Sequence, residues 1–257
     1  MGLFGNEAKR LASRPAVLFA ADPADGMADA VTRYDPGVRV RGDRFVFGNG
    51  VLLYGPVEIT PEMAGKAGLP GGMAVAYYAG TAVQGKAERR PDDDKWQDAG
   101  RLIRGLAARL GGTVHDPRPP MDLTLEASVY SGQPLPVEDV IEVLSPFAGH
   151  RLEAGAMDVG GAYALRPVEG SVLFLTMYFP PWVAGMKVDP PPPAIGDLRR
   201  QKPCQWELYT SVPILDAGPE DCQTVGGAAL ALAGRTGGVV TDVYRFPVTR
   251  PEDLLPR

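Results

Sequence analysis

The chain has 257 residues, a formal charge of −5, 45% hydrophobic and 22% charged side chains, 32 glycines and 26 prolines. That is enough for one or two globular domains rich in turns, and it lacks the clustered Lys and Arg that nucleic acid or an anionic membrane would demand. Cys204 and Cys222 make no disulfide framework and His115 and His150 no metal set, so a cytoplasmic protein with buried free thiols, no metal and no cofactor is expected.

Residues 1–14 read as a polar leader or loose helical turn, too poor in apolar residues for a secretory signal. No run approaches the ~20 apolar residues of a membrane span. The apolar stretch 16–20 suits a buried strand. Asp22-Pro23 reads as a helix start, with Asp22 as cap, and the helix runs to Tyr34 before Asp35-Pro36-Gly37. Residues 38–46 alternate as one half-buried strand, Gly48-Asn49-Gly50 marks a turn, and 51–59 is the return strand. A Gly- and Pro-rich connection (60–72), a strand (73–83) and a polar stretch (84–95) follow, with Asp92, Asp93 and Asp94 placed to favour the start of the next helix.

That helix opens a segment that occurs twice. Residues 100–116 and 226–242 both run helix, Gly-Gly, short strand, Asp, with Gly111 matching Gly237, Val114 matching Val240 and Asp116 matching Asp242, a constant 126 residues apart. In each copy Gly can end the helix in the left-handed conformation and let the chain swing into the strand. The arrangement is similar to small bacterial α/β domains of uncharacterised or immunity type, whose modules end in this way. The resemblance assigns no residue a role.

Asp116-Pro117-Arg118-Pro119-Pro120 marks a boundary, giving modules over 1–116 and 117–257. The second half repeats the order: a strand (123–130), a helix (136–144), strands at 162–166 and 171–179, an insertion over about 180–203, a strand (206–214) whose Pro213 belongs at an edge or bulge, then the repeated helix and strand. The tail after Phe246 is expected on the surface. The pattern predicts an α+β protein of two tandem related ferredoxin-like modules, each a split βαβ with an extra strand. Their antiparallel or mixed sheets carry helices on one face, and the modules pack about a pseudo-twofold with a ligand groove between them.

Catalytic signatures are scarce. There is no Gly-x-Ser-x-Gly elbow, no P-loop and no dinucleotide fingerprint, and a serine without a base is only a hydroxyl. The aromatic cluster Tyr178, Phe179 and Trp182, on a proline-stiffened insertion, and Trp206 on the following strand are the candidate partner-binding residues, since Trp and Tyr anchor interfaces. With an acidic balance, this points to a non-catalytic adaptor, inhibitor or immunity-type protein that engages a basic partner protein. The alternatives are a hydrolase or transferase using carboxylates from Glu126, Asp158 or Glu207, and a structural component of a larger assembly. Odd burial of Glu126 or Glu207 would favour the enzyme.

Overall fold

Four consecutive residues of the first apolar run, Ala16–Phe19, are fully or almost fully buried, and the first half is built around them. The computed structural model describes residues 3–83, 86–89, 93–118, 123–156, 162–167, 175–179, 191–201 and 203–254; of these, 3–6, 82–89, 93–95, 167 and 175–179 are described as backbone. They form an α+β fold with antiparallel sheets. The chain divides into two compact units, Met1–Met121 and Asp122–Leu255.

The first unit contains α1 (Leu3–Ser13), β1 (Ala16–Phe19), α2 (Ala24–Tyr34), β2 (Arg39–Arg41), β3 (Arg44–Val46), β4 (Val51–Glu58), α3 (Pro61–Ala67), β5 (Val75–Val83), β6 (Lys86–Arg89), α4 (Asp93–Leu110) and β7 (Thr113–His115). The sheet runs β2-β3-β4-β5-β1-β7, with β6 beside β5. Side chains alternate between faces. Ala16 and Leu18 share one face with Tyr54 and Tyr78 and pack against Ala8 and Leu11 of α1 and Met63 and Ala67 of α3. On the other face α4 packs on β1 and β5, and Val17 and Phe19 press so close to Gly112 that a Cβ there would sit 2.6 Å from each. Helices therefore cover both faces of this sheet, not one.

Several local expectations are corrected here. The N-terminal segment is a true helix, because Leu11 and Ala8 give it an apolar edge to bury. Asp22 caps nothing; it accepts a hydrogen bond from Tyr77 Oη at 2.9 Å, and Pro23 holds the cap position. Residues 38–46 form a hairpin, since Gly42 takes φ +63° and folds β3 back on β2. The connection after β4 holds α3, whose start is capped by Thr60 Oγ1 accepting from Met63 N at 3.2 Å. The polar stretch before α4 contributes β6.

The second unit contains β8 (Thr124–Ser131), α5 (Val137–Ala148), β9 (Leu152–Ala156), β10 (Tyr163–Pro167), β11 (Leu175–Phe179), two 3-10 turns over Pro193–Gln201 kinked at Gly196, β12 (Cys204–Pro213), α6 (Pro219–Thr236), β13 (Val239–Asp242) and a 3-10 turn, Pro251–Leu254. Its sheet runs β13-β8-β12-β11-β10-β9. Counted from the strand after the last helix, the first sheet runs β7-β1-β5-β4-β3-β2, so the two orders correspond position for position. The pairing slips between Tyr209 and Pro213, where proline withholds a ladder N–H. Helices α5 and α6 bury Val140, Leu144, Val225, Ala228, Ala229 and Leu232 against Leu125, Ala127, Val129, Trp206 and Leu208. The tail is not merely laid on the surface: Phe246, Val248 and Leu254 are buried, and a Cβ on Gly226 of α6 would stand 2.7 Å from Pro251 Cα.

The two repeated segments share their geometry. Gly111 and Gly237 take φ +69° and +63°, while Gly112 N donates to Ala107 O at 3.0 Å and Gly238 N to Ala233 O at 2.9 Å. Each segment's Asp then ties down the exit from its strand. Asp116 accepts from Arg104 Nη1 (3.1 Å), Trp96 Nε1 (3.3 Å) and Arg118 N (3.1 Å), and Asp242 accepts from Phe246 N (2.8 Å). The two cysteines are free and buried, with burial pushing both thiols up to about 11. Among the described residues no helix is long and apolar enough to cross a membrane.

Candidate functional site

Alternation along β8 and β12 sorts their side chains. Leu125, Ala127, Val129, Trp206 and Leu208 point toward α5 and α6. Glu126, Ser128, Tyr130, Gln205, Glu207 and Tyr209 therefore occupy the opposite face, on which, among the described residues, neither α5 nor α6 packs. The antiparallel register sets Tyr130 opposite Gln205, Ser128 opposite Glu207 and Glu126 opposite Tyr209, and β13 adds Thr241 beside Ser128. Glu126 and Glu207 are thus diagonal neighbours, a spacing within reach of long side chains.

This face is polar without being open throughout. Ser128, Tyr130, Gln205 and Thr241 are buried, whereas Glu126, Glu207 and Tyr209 are half-buried and line the part that solvent reaches. Ser128 Oγ donates to Glu126 Oε1 at 3.3 Å, and Gln205 Nε2 donates to Glu207 Oε1 at 2.8 Å, so each carboxylate is steered by a neighbour. Thr241 Oγ1 is buried and has no hydrogen-bond partner among the described residues. Burial raises the Tyr130 phenol, Arg245 opposes the rise, and Glu207 and Glu126 add to it. Tyr209 is raised by burial and then by the same two carboxylates, against Arg166. Both glutamates therefore act on both tyrosines.

Arg245 reaches this neighbourhood from the turn after β13. It is buried, its φ of +70° is unusual for a side-chain-bearing residue, and its N–H donates to Asp242 O at 2.8 Å. The Asp that ends the second repeated segment thus shapes the turn that carries a buried cation. The resulting constellation sets two carboxylates and two phenols on one stretch of sheet, with the Arg245 guanidinium acting on Tyr130.

The residues expected from the sequence are distributed unevenly. Glu126 and Glu207 come together, while Asp158 and Trp182 lie outside the described residues. Tyr178 and Phe179 belong to β11, opposite Trp206 and Gln205 in register, and only their backbone is described. Trp206 has 0% exposure and donates from Nε1 to Tyr163 Oη at 3.2 Å; it is a core side chain and offers no ring face to a partner. His115 is half-buried. Tyr130, Ser128, Gln205, Thr241 and Arg245 were not singled out from the sequence, although the alternation of β8 and β12 already puts the first three beside the glutamates.

Among the described residues no group of three or more His, Cys, Asp or Glu side chains is placed to hold a metal. A cavity of about 390 Å³ beside α3 is lined by Thr60, Pro61, Glu62, Met63 and Lys66, and its two charged groups pair with each other at 2.6 Å. No family model matches the chain, and neither a curated protein nor a solved structure was found to match it.

Proposed function

We propose that this is a non-catalytic binding protein, of adaptor, inhibitor or immunity type, built from two copies of a ferredoxin-like split βαβ module and engaging a basic partner protein. The polar face of the second sheet receives a Lys or Arg side chain of that partner. The observation that carries this reading is the diagonal placement of half-buried Glu126 and Glu207 beside Tyr209 and Tyr130. A cation seated there is met by carboxylate and phenol oxygens in a partly desolvated setting, where electrostatic attraction exceeds that on an open surface. The net charge of −5 steers a basic protein toward it. The aromatic residues expected from the sequence to anchor a partner, Tyr178, Phe179 and Trp182, belong to this reading as a second contact. The matching strand orders and the shared helix, Gly-Gly, strand, Asp geometry support the duplication.

The test is capture of the tagged protein from its own cells at low and then high salt, with wild type compared to the double substitution Glu126→Gln, Glu207→Gln. One stoichiometric basic protein, lost as salt rises and lost in the variant, is the expected result. A lone monomer under both salt conditions would sink the reading. The same glutamate pair favours one other reading, acid-base catalysis by a hydrolase or transferase. In that case each single Gln substitution would abolish turnover in a metabolite screen while leaving the partner unaffected.

A further inference from the structure

Arg44, Tyr54 and Tyr78 stand in line across three strands: Arg44 on β3 is opposite Tyr54 on β4, which is opposite Tyr78 on β5. The two rings are stacked, 5.1 Å apart and within 11° of parallel. A guanidinium lies over each outer ring face, Arg44 Cζ 5.7 Å from the Tyr54 centroid and Arg14 Cζ 5.6 Å from that of Tyr78. Arg44 Nη1 also donates to Tyr54 Oη, and Arg10 Nη1, one helical turn before Arg14, donates to Tyr78 Oη, both at 3.4 Å. Stacked rings on adjacent strands bring their hydroxyls side by side. Three arginines thus gather at one tyrosine pair in a chain of net charge −5.

The hydrogen-bond roles follow from the inventory of donors. An arginine N–H can only donate, so each phenol oxygen accepts one bond and keeps its own O–H to give away. Burial raises the Tyr78 phenol, which keeps that proton in place at neutral pH. A guanidinium donor thus stands at each phenol oxygen, Arg44 at Tyr54 and Arg10 at Tyr78. Such a donor set is complementary to a ligand with several acceptor oxygens and negative charge. Arg10 and Arg44 are half-buried, so solvent reaches them, while Arg14 is buried and fixes its charge behind the stack. Glu7 on α1 acts on Tyr78 in the opposite sense to the arginines and raises its phenol.

We propose that the first unit carries an oxyanion site at Arg10, Arg44 and the hydroxyls of Tyr54 and Tyr78, which takes a tetrahedral phosphate or sulfate group. The site is separate from the acidic face of the second unit and does not depend on it. Calorimetric titration of the full chain at low salt, with inorganic phosphate and separately with phenyl phosphate, tests it. Saturable binding of one equivalent is expected. Arg44→Gln and Arg10→Gln each weaken it about tenfold or more, as loss of a charge-assisted hydrogen bond requires. Lys66→Gln, which removes an exposed cation elsewhere on the same unit, leaves it unchanged. Tighter binding of phenyl phosphate identifies a phosphate carried on an organic ligand, and equal binding identifies the free ion. Absence of saturable binding with both probes overturns the site, as does a loss in Lys66→Gln equal to that in Arg44→Gln. Should Arg10→Gln loosen α1 by circular dichroism, Arg44→Gln on β3 decides alone.

Discussion

The two units use one strand order in two ways. In the first, both faces of the sheet are covered by helices, and β1 is buried at every position. In the second, α5 and α6 cover one face, and the other carries Glu126, Ser128, Tyr130, Gln205, Glu207 and Tyr209. The difference is written in the strands. A strand sandwiched between layers reads as an unbroken apolar run, as in Ala-Val-Leu-Phe, whereas a strand with one polar side alternates, as in Leu-Glu-Ala-Ser-Val-Tyr. The number of helical layers described on a sheet can thus differ between units whose strands follow the same order, and the second unit's other face is the polar one.

The comparison is most sharply broken at Trp206. Trp206→Ala opens a cavity in the one apolar layer of the second unit and is expected to cost about 3–5 kcal/mol. Amide exchange should then rise across β8 and β12 far more than across β1 and β5; a uniform rise would mean that the two units unfold as one. Next in size are Leu106→Ala and Leu232→Ala, matched positions that are both fully buried. Each should lose about 2–5 kcal/mol in chemical denaturation. A near-zero effect at either one would break the equivalence of the repeated helices.

The Gly-Gly corners separate the units more finely. A Cβ on Gly112 meets the side chains of Val17 and Phe19 at 2.6 Å, but a Cβ on Gly238 meets the backbone oxygen of Tyr130 at 2.6 Å. Side chains can shift and a paired strand cannot, so Gly238→Ala should be the worse of two losses of about 1–3 kcal/mol, measured by thermal unfolding.

The smallest effect is a pH dependence confined to the first unit. Burial lowers the His115 pKa, against its hydrogen bond to the Leu11 backbone and the pull of Asp116. The unfolded chain therefore takes up the proton first, near the ordinary value of about 6.5, and stability falls as pH drops through that value toward the folded one. The matched position in the second unit is Thr241, which does not titrate. His115→Gln should flatten the curve, and protection of the β7 amides relative to their intrinsic exchange rates should fall as pH drops while that of β13 does not.

Much of the architecture was legible in the sequence because period-two and period-three-to-four patterns survive in single strands and helices. The strand in 16–20 and the slip near Pro213 were readable in this way. Helix α3 was hidden because Pro61, Gly65, Gly68 and Gly71 read as a loop, although Thr60 and Pro61 are a sound helix start. The hairpin at Gly42 was hidden because alternation continues across a two-residue turn. At the candidate site, Glu126 and Glu207 were worth inspecting from the sequence, but their proximity is a fact of register. Trp206 carried the opposite lesson: its neighbours Gln205 and Glu207 already implied that the ring faces inward, yet residue type alone suggested an anchor.

Strand β2 ends the first sheet as three exposed residues, with Val40 68% exposed between Arg39 and Arg41. An edge strand offers its amides to any other edge, and a flat apolar one invites fibrous stacking. Here a bare valine sits between two like charges on a very short edge, so a second copy approaching edge to edge meets guanidinium against guanidinium. Like charges on both sides of the valine thus disfavour pairing of two such edges.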